Sequence, residues 1–115
     1  MTVVTIYRDA SGGVIGFRAE GHAAERVKRG GDIVCSAVSV LANTAANALE
    51  SIAALPTAST VRAAGDGLLD VRLPSNVPEA RLSACDIILR TVQQGFMDIA
   101  EAYPAQVRVV FNGEP

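Results

Sequence analysis

Asp32-Ile33-Val34-Cys35-Ser36-Ala37-Val38-Ser39-Val40-Leu41, continued as far as Ala54, is the stretch on which the fold turns. Val34, Val38, Leu41, Ala45, Ala48 and Ile52 recur at helical spacing, and Ser36, Asn43, Asn47 and Glu50 fall on the other side. That pattern predicts an amphipathic helix from Asp32 to about Ala54. Asp32 stands where an N-cap belongs, and Pro56 stops the helix. Upstream, Thr2 to Tyr7 is β-branched and aromatic, and the turn residues Asp9 to Gly13 lead into Val14 to Glu20. There Ile15, Phe17 and Ala19 alternate with Gly16, Arg18 and Glu20, as in a hairpin with one buried face. Between hairpin and helix, Gly21 to Gly31 has glycines at its ends and a charged middle, and reads as a long loop.

Downstream the pattern repeats once. Ser59 to Ala64 and Leu68 to Leu73 flank Gly65-Asp66-Gly67, and Asp-Gly is a strong signal for a tight hairpin turn. Asn76, with Glu79 three residues on and Pro78 in the first turn, predicts a second helix opened by a capping box and running to about Ala102. Its stripe is Leu82, Cys85, Leu89, Val92, Phe96 and Ile99, and after Pro104 a last strand spans Gln106 to Phe111. The expected fold is α+β: a single-domain sandwich over 1–115, in the order ββαββαβ, with two helices packed on a mainly antiparallel five-stranded sheet.

Composition removes several function classes. The 115 residues carry 10 Lys+Arg against 12 Asp+Glu, a net charge of −2, with no Trp, two Tyr and three Phe. Nucleic-acid binding calls for a basic surplus or stacking aromatics, so a direct nucleic-acid partner is not expected. No apolar run approaches the roughly 20 residues of a membrane span, and Met1 to Tyr7 lacks the features of a signal peptide. A cytoplasmic protein without a membrane partner is therefore expected. In that compartment the two cysteines are thiols before they are a disulfide, and a single His leaves too few ligands for a closed zinc site. No metal or cofactor is expected.

The two cysteines differ in setting. Cys85 lies in the apolar stripe of the second helix and reads as a small buried hydrophobe. Cys35 lies about a quarter turn off the centre of its stripe, on a flank shared with Ser39, Ala42 and Ala46. With Asp32 as N-cap, the thiol sits in the first helical turn, where unpaired N–H groups and the helix dipole favour a thiolate. The Asp32 charge opposes that shift. His22, the only histidine, follows Gly21 at the end of a strand and opens the loop that leads back to Cys35. A Cys activated by a nearby His is the usual arrangement for nucleophilic acyl transfer. The N–H groups of Cys35 and Ser36 are then candidate oxyanion donors, and Ser39 lies one turn beyond the thiol. On residues alone, a structural cysteine and a loop histidine remain the alternative.

Gly21-His22-Ala23, followed by a Gly-containing loop and Gly31-Asp32-Ile33-Val34-Cys35-Ser36-Ala37-Val38-Ser39, resembles the signature of the ribosomal-processing cysteine protease family Prp. The order of elements resembles that family over nearly the whole chain. The resemblance implies a cytosolic homodimeric protease that removes an N-terminal extension from large-subunit ribosomal protein twenty-seven. It implies His22 as general base and acid, Cys35 as nucleophile, and Asp32 and Ser39 as supporting residues. It also implies a loop, Ala23 to Gly30, that closes over substrate, and a preference for a Phe pair before the cut. Gly21 and Ser36 complete the expected support.

The loop is about one residue longer than the family pattern, and Arg26, Lys28 and Arg29, beside Gly30 and Gly31, make it basic. These five are the candidate substrate-loop residues, with a solvated loop tip as the plainer reading of the charges. A non-catalytic, ribosome-associated binding module is the alternative function, since Ser36 and Ser39 near a helix start could hold a phosphate.

Overall fold

The computed structural model describes residues 1–21, 29–55, 61–65 and 68–112. In chain order the elements are β1 (Thr2–Arg8), β2 (Val14–Glu20), α1 (Arg29–Ser51), β3 (Val61–Gly65), β4 (Leu68–Arg72), α2 (Glu79–Ala102) and β5 (Val107–Phe111). The expected order ββαββαβ is the observed one. The strands form one sheet in the order β3-β4-β2-β1-β5. β1 with β2, β2 with β4, and β3 with β4 are antiparallel, whereas β1 and β5 are parallel, Thr2 facing Val107 and Ile6 facing Phe111. The sheet is therefore mainly antiparallel, as expected, and the single parallel pair of β1 with β5 makes it mixed. The connection from β4 through α2 delivers β5 to the far side of β1, where only the parallel direction is open to it.

Both helices cover one face of the sheet. Val4 and Ile6 of β1, Phe17 and Ala19 of β2, Val71 of β4 and Val107 of β5 meet Val34, Val38, Ala42, Ala45, Ala46 and Leu49 of α1 in a single core. Cys85, Leu89, Val92 and Phe96 of α2 complete it. Phe17 and Phe96 meet edge to face, with ring centroids 5.1 Å apart. Burying each of the larger side chains contributes about 1.5–3 kcal/mol. The opposite face is polar at its centre. Asp70 accepts from Arg72 Nε at 2.8 Å and from its Nη2 at 3.2 Å, and Arg18 lies 3.8 Å away. The Arg72 guanidinium stacks on Tyr7 at 4.1 Å.

Several boundaries move. α1 begins at Arg29 and not after Asp32, so Asp32 lies inside the helix and does not cap it. The glycine cost of about 1 kcal/mol each at Gly30 and Gly31 is small enough for packing to override. The helix ends at Ser51, and Ala54, at φ 58°, turns the chain before Pro56, which lies outside the described residues. Ile52 is 70% exposed, so the lower part of the stripe is Leu49 and Ala53 instead. α2 starts at Glu79 with Pro78 at the cap and no side-chain cap hydrogen bond, so the Asn76 capping box does not form. Leu82 is 46% exposed, so the buried stripe of α2 begins at Cys85. In β2 the inward residue at the hairpin is Val14 and Ile15 points out, because the register shifts between Tyr7 and Arg8.

The span Ile33–Ser51 also has the length and mean hydropathy, 1.3, of a membrane-crossing helix, which corrects the expectation that no stretch comes near one. Its apolarity is spread between the buried stripe and an exposed face.

Candidate functional site

α1 and α2 run antiparallel. Arg81 near the start of α2 donates to the Ala53 carbonyl just beyond the end of α1 at 3.2 Å, and Gly95 meets Leu41 further along. A Cβ at Gly95 would stand 2.6 Å from Leu41 Cδ2, so the missing side chain sets how closely the helices approach. The start of α1 consequently lies at the same end of the molecule as the end of α2. The sheet fixes what else is there: Glu20 pairs with Leu68 and Leu68 with Gly65, so β2 and β3 end, and β4 begins, at that end.

Cys35 is half-buried on α1, and Cys85 is buried on α2. Around the α1 axis, Leu41 faces α2 and Val34, Val38 and Ala45 face the sheet, at about 100° per residue. Cys35 falls on the remaining flank, beside buried Ala42 and Ala46 and away from α2. Ser39, exposed, shares that flank one turn on, and its carbonyl accepts from Asn43 Nδ2 at 2.9 Å. Gly21 closes β2 with φ +86°, and a Cβ there would meet the Met1 carbonyl oxygen at 2.5 Å. Only glycine fits that backbone without strain. It is this turn that directs the chain from β2 toward His22.

Among the expected site residues, Gly21 and Cys35 lie toward one end of the fold, and Ser39 is one turn beyond the thiol, near the middle of α1. Arg29, Gly30, Gly31 and Asp32 form the first turn of α1 just above the thiol. His22, Arg26 and Lys28 lie outside the described residues. Ser36 is not on the thiol's side. It lines a separate groove of about 590 Å³ between the helices, with Ile33, Ala37, Val40, Thr44, Gly95 and Ile99. Ile33 and Val40, 63% and 65% exposed, are apolar residues seven apart outside the core stripe, and that spacing was the available signal for this groove.

The earlier helix start changes the local chemistry. Cys35 is in the second turn, and by the i to i−4 rule its N–H and that of Ser36 bond back to Gly31 and Asp32. With α1 opening at Arg29, its first turn lies before the thiol and not around it. Burial pushes the Cys85 thiol up, against a smaller opposing effect of its own backbone and of Arg81. Among the described residues, no group of three or more His, Cys, Asp or Glu side chains could hold a metal ion.

The model of the cysteine protease Prp family matches residues 1–108. The chain belongs to that family, and its class is that of a cysteine peptide hydrolase. Among solved structures it is similar to the ribosomal processing protease Prp from S. aureus in complex with a substrate peptide. That match has 22% identity and a TM-score of 0.80, covering 97% of this chain and 100% of the other. The same S. aureus protease with a covalently linked product peptide gives 23% identity and a TM-score of 0.79 over 97% and 100%. SMU.848 from Streptococcus mutans gives 25% identity and a TM-score of 0.82 over 96% of each chain. No curated protein matches.

Proposed function

We propose that this chain is a cysteine endopeptidase that removes the N-terminal extension of large-subunit ribosomal protein twenty-seven during ribosome assembly, in the cytoplasm and as a homodimer. The observation that carries the reading is the placement of Cys35: half-buried, off the core stripe, and at the end of the molecule where Gly21 turns the chain toward His22. Membership of the family and the likeness to a protease solved with a substrate peptide support it.

His22 takes the Cys35 proton, and the thiolate attacks the scissile carbonyl. The tetrahedral intermediate collapses to a thioester as His22 returns the proton to the leaving amine. Water, deprotonated by His22, then releases the acid and restores the thiol. Asp32 and Ser39 act as positioning residues on the turns either side of Cys35. Arg26, Lys28 and Arg29, with Gly30 and Gly31, belong to the substrate-covering segment.

The test is cleavage of a peptide holding two Phe followed by Ala-Ser, with wild type and Cys35→Ala side by side, read by mass spectrometry. Cutting after the second Phe by wild type alone is expected. Equal cutting by both removes Cys35 as nucleophile. Absence of cutting on this peptide and on the ribosomal protein's own N-terminus leaves a binding module. Sedimentation at low micromolar concentration checks the dimer.

A further inference from the structure

We propose that the cleft between the β1–β2 turn and the first half of α2 is a second binding site, which takes an alkylammonium group: a short aliphatic chain ending in a cationic amine, as in a lysine side chain or a free diamine. The site is independent of the protease reading, since it stands at the end of the molecule away from Cys35. β1 finishes and β2 starts there, and Leu73, just past β4, donates its N–H to the Ile15 carbonyl at 2.9 Å. The cavity holds about 590 Å³. That lies within the roughly 300–1,000 Å³ of small-ligand pockets, which join an apolar lining to a few convergent polar groups.

The apolar part of the lining is aliphatic: Val14, Ile15, Leu73 and Leu82. The periodicity of β2 and of α2 expects Ile15 and Leu82 in the core, yet they are 40% and 46% exposed, and both emerge in this one cleft. An aliphatic chain laid against them removes that surface from water. Among the described residues no aromatic ring lines the cleft, so a flat aromatic cation finds nothing to stack on. The polar part sets the sign of the ligand. Two carboxylates, Asp9 and Asp86, stand against one guanidinium, Arg90, and an anion would be repelled. Asp9 is committed to its turn, where Oδ1 accepts from Ser11 and Gly13. Asp86 is held only by long contacts, the Val14 N–H at 3.3 Å from Oδ1 and Arg90 Nη1 at 3.5 Å from Oδ2. Leu82, Asp86 and Arg90 follow one another at four-residue intervals and so stand in a column along α2, the carboxylate between the apolar side chain and the guanidinium. An ammonium group seated on Asp86 lays its chain along Leu82, while Arg90, 64% exposed, moves into solvent. An exposed ion pair of that length contributes little, so Arg90 gives way readily.

The experiment titrates the full chain with pentylamine, pentanol and pentanoate and follows backbone amide shifts by NMR. Expected with pentylamine are saturable shifts at Ser11, Gly12, Gly13 and Asp86, with a Kd of about 1–10 mM. Pentanol should bind at least about fivefold more weakly, and pentanoate should not saturate. Asp86→Asn should weaken pentylamine binding about fivefold and Leu82→Ala about threefold. Arg90→Ala should tighten it, because the competing cation is gone. Two further arms separate the sources of the amine. Tighter binding of acetyl-lysine methylamide than of cadaverine assigns the site to a lysine of a partner protein, and the reverse to a free diamine; either supports the site. Absence of saturable shifts at these amides with every amine overturns the proposal. An equal response to pentanoate overturns it too, as does an Asp86→Asn protein that keeps its fold and binds pentylamine like the wild type.

Discussion

Cys35 and Cys85 occupy antiparallel helices of 23 and 24 residues, each laid on the same sheet face, yet their surroundings differ. Cys85 is central to its stripe and fully buried, with its thiol pushed up by loss of solvent. Cys35, a quarter turn off its own stripe, is half-buried at the end where two strands finish. The same residue type thus becomes packing in one helix and a reachable thiol in the other. Its angle about the helix axis and its distance from the sheet's end decide which.

The sharpest way to break this comparison is to truncate each thiol. Cys35→Ala should lower kcat/KM by at least about a thousandfold while changing stability little. Cys85→Ala should leave kcat/KM within about threefold and cost roughly 1–2 kcal/mol in urea unfolding, the cavity left by a small buried side chain. The reverse pattern would show that the chemistry resides in the core helix.

The next effect concerns how the chain reaches His22. Gly21→Ala forces a Cβ against the Met1 carbonyl at a positive φ, at an expected stability cost of about 1–3 kcal/mol. Because the strain falls where β2 hands over to His22, kcat/KM should fall by more than the Cys85 variant loses. A neutral Gly21→Ala would mean that this turn does not set the approach. Smaller again is Gly95→Ala, which presses on the flexible end of Leu41 and should cost about 1 kcal/mol. Here the readout is cleavage: a several-fold loss is expected as α1, and Cys35 with it, shifts from α2. Unchanged kcat/KM would show that helix spacing does not matter to the site.

The smallest effect belongs to the opposite end. Asp9 closes the β1–β2 turn, its Oδ1 accepting from the Ser11 hydroxyl at 2.7 Å and the amides of Gly13 and Ser11 at 2.9 and 3.0 Å. Those bonds, the Ser11 hydroxyl foremost, hold its carboxyl below the usual value of 3.8. A depressed carboxylate pKa favours the fold above the unfolded value, and that contribution is lost as pH falls through the folded one. Titrating the Gly13 amide shift should show the turn loosening only below about pH 4. Asp9→Asn should leave cleavage at neutral pH unchanged, and a large loss would join the two ends that the comparison separates.

Much of this was legible in residue order. The stripe of α1 around Val34 and Val38, the alternation in β2 and the Asp9 turn follow from local periodicity, and the GHA and GDIVC elements carry the family's signature. The capping box at Asn76 and the cap at Asp32 did not form. Such motifs are worth about 1 kcal/mol, and the packing of an adjoining helix outweighs them. Ser36, grouped with Cys35 by adjacency in sequence, turned out to face the other groove, since neighbours along a helix point about 100° apart.

By itself, then, the sequence determined the elements, their order and the two cysteines' angles to their own stripes, because periodicity is a local property of the chain. Only the tertiary structure decided that β5 joins β1 in parallel, that both helices share one sheet face, and that Gly95 sets how closely they approach. Those depend on contacts between segments far apart in the chain, whose strength comes from burying mutual surface, and no local pattern encodes which surface that will be.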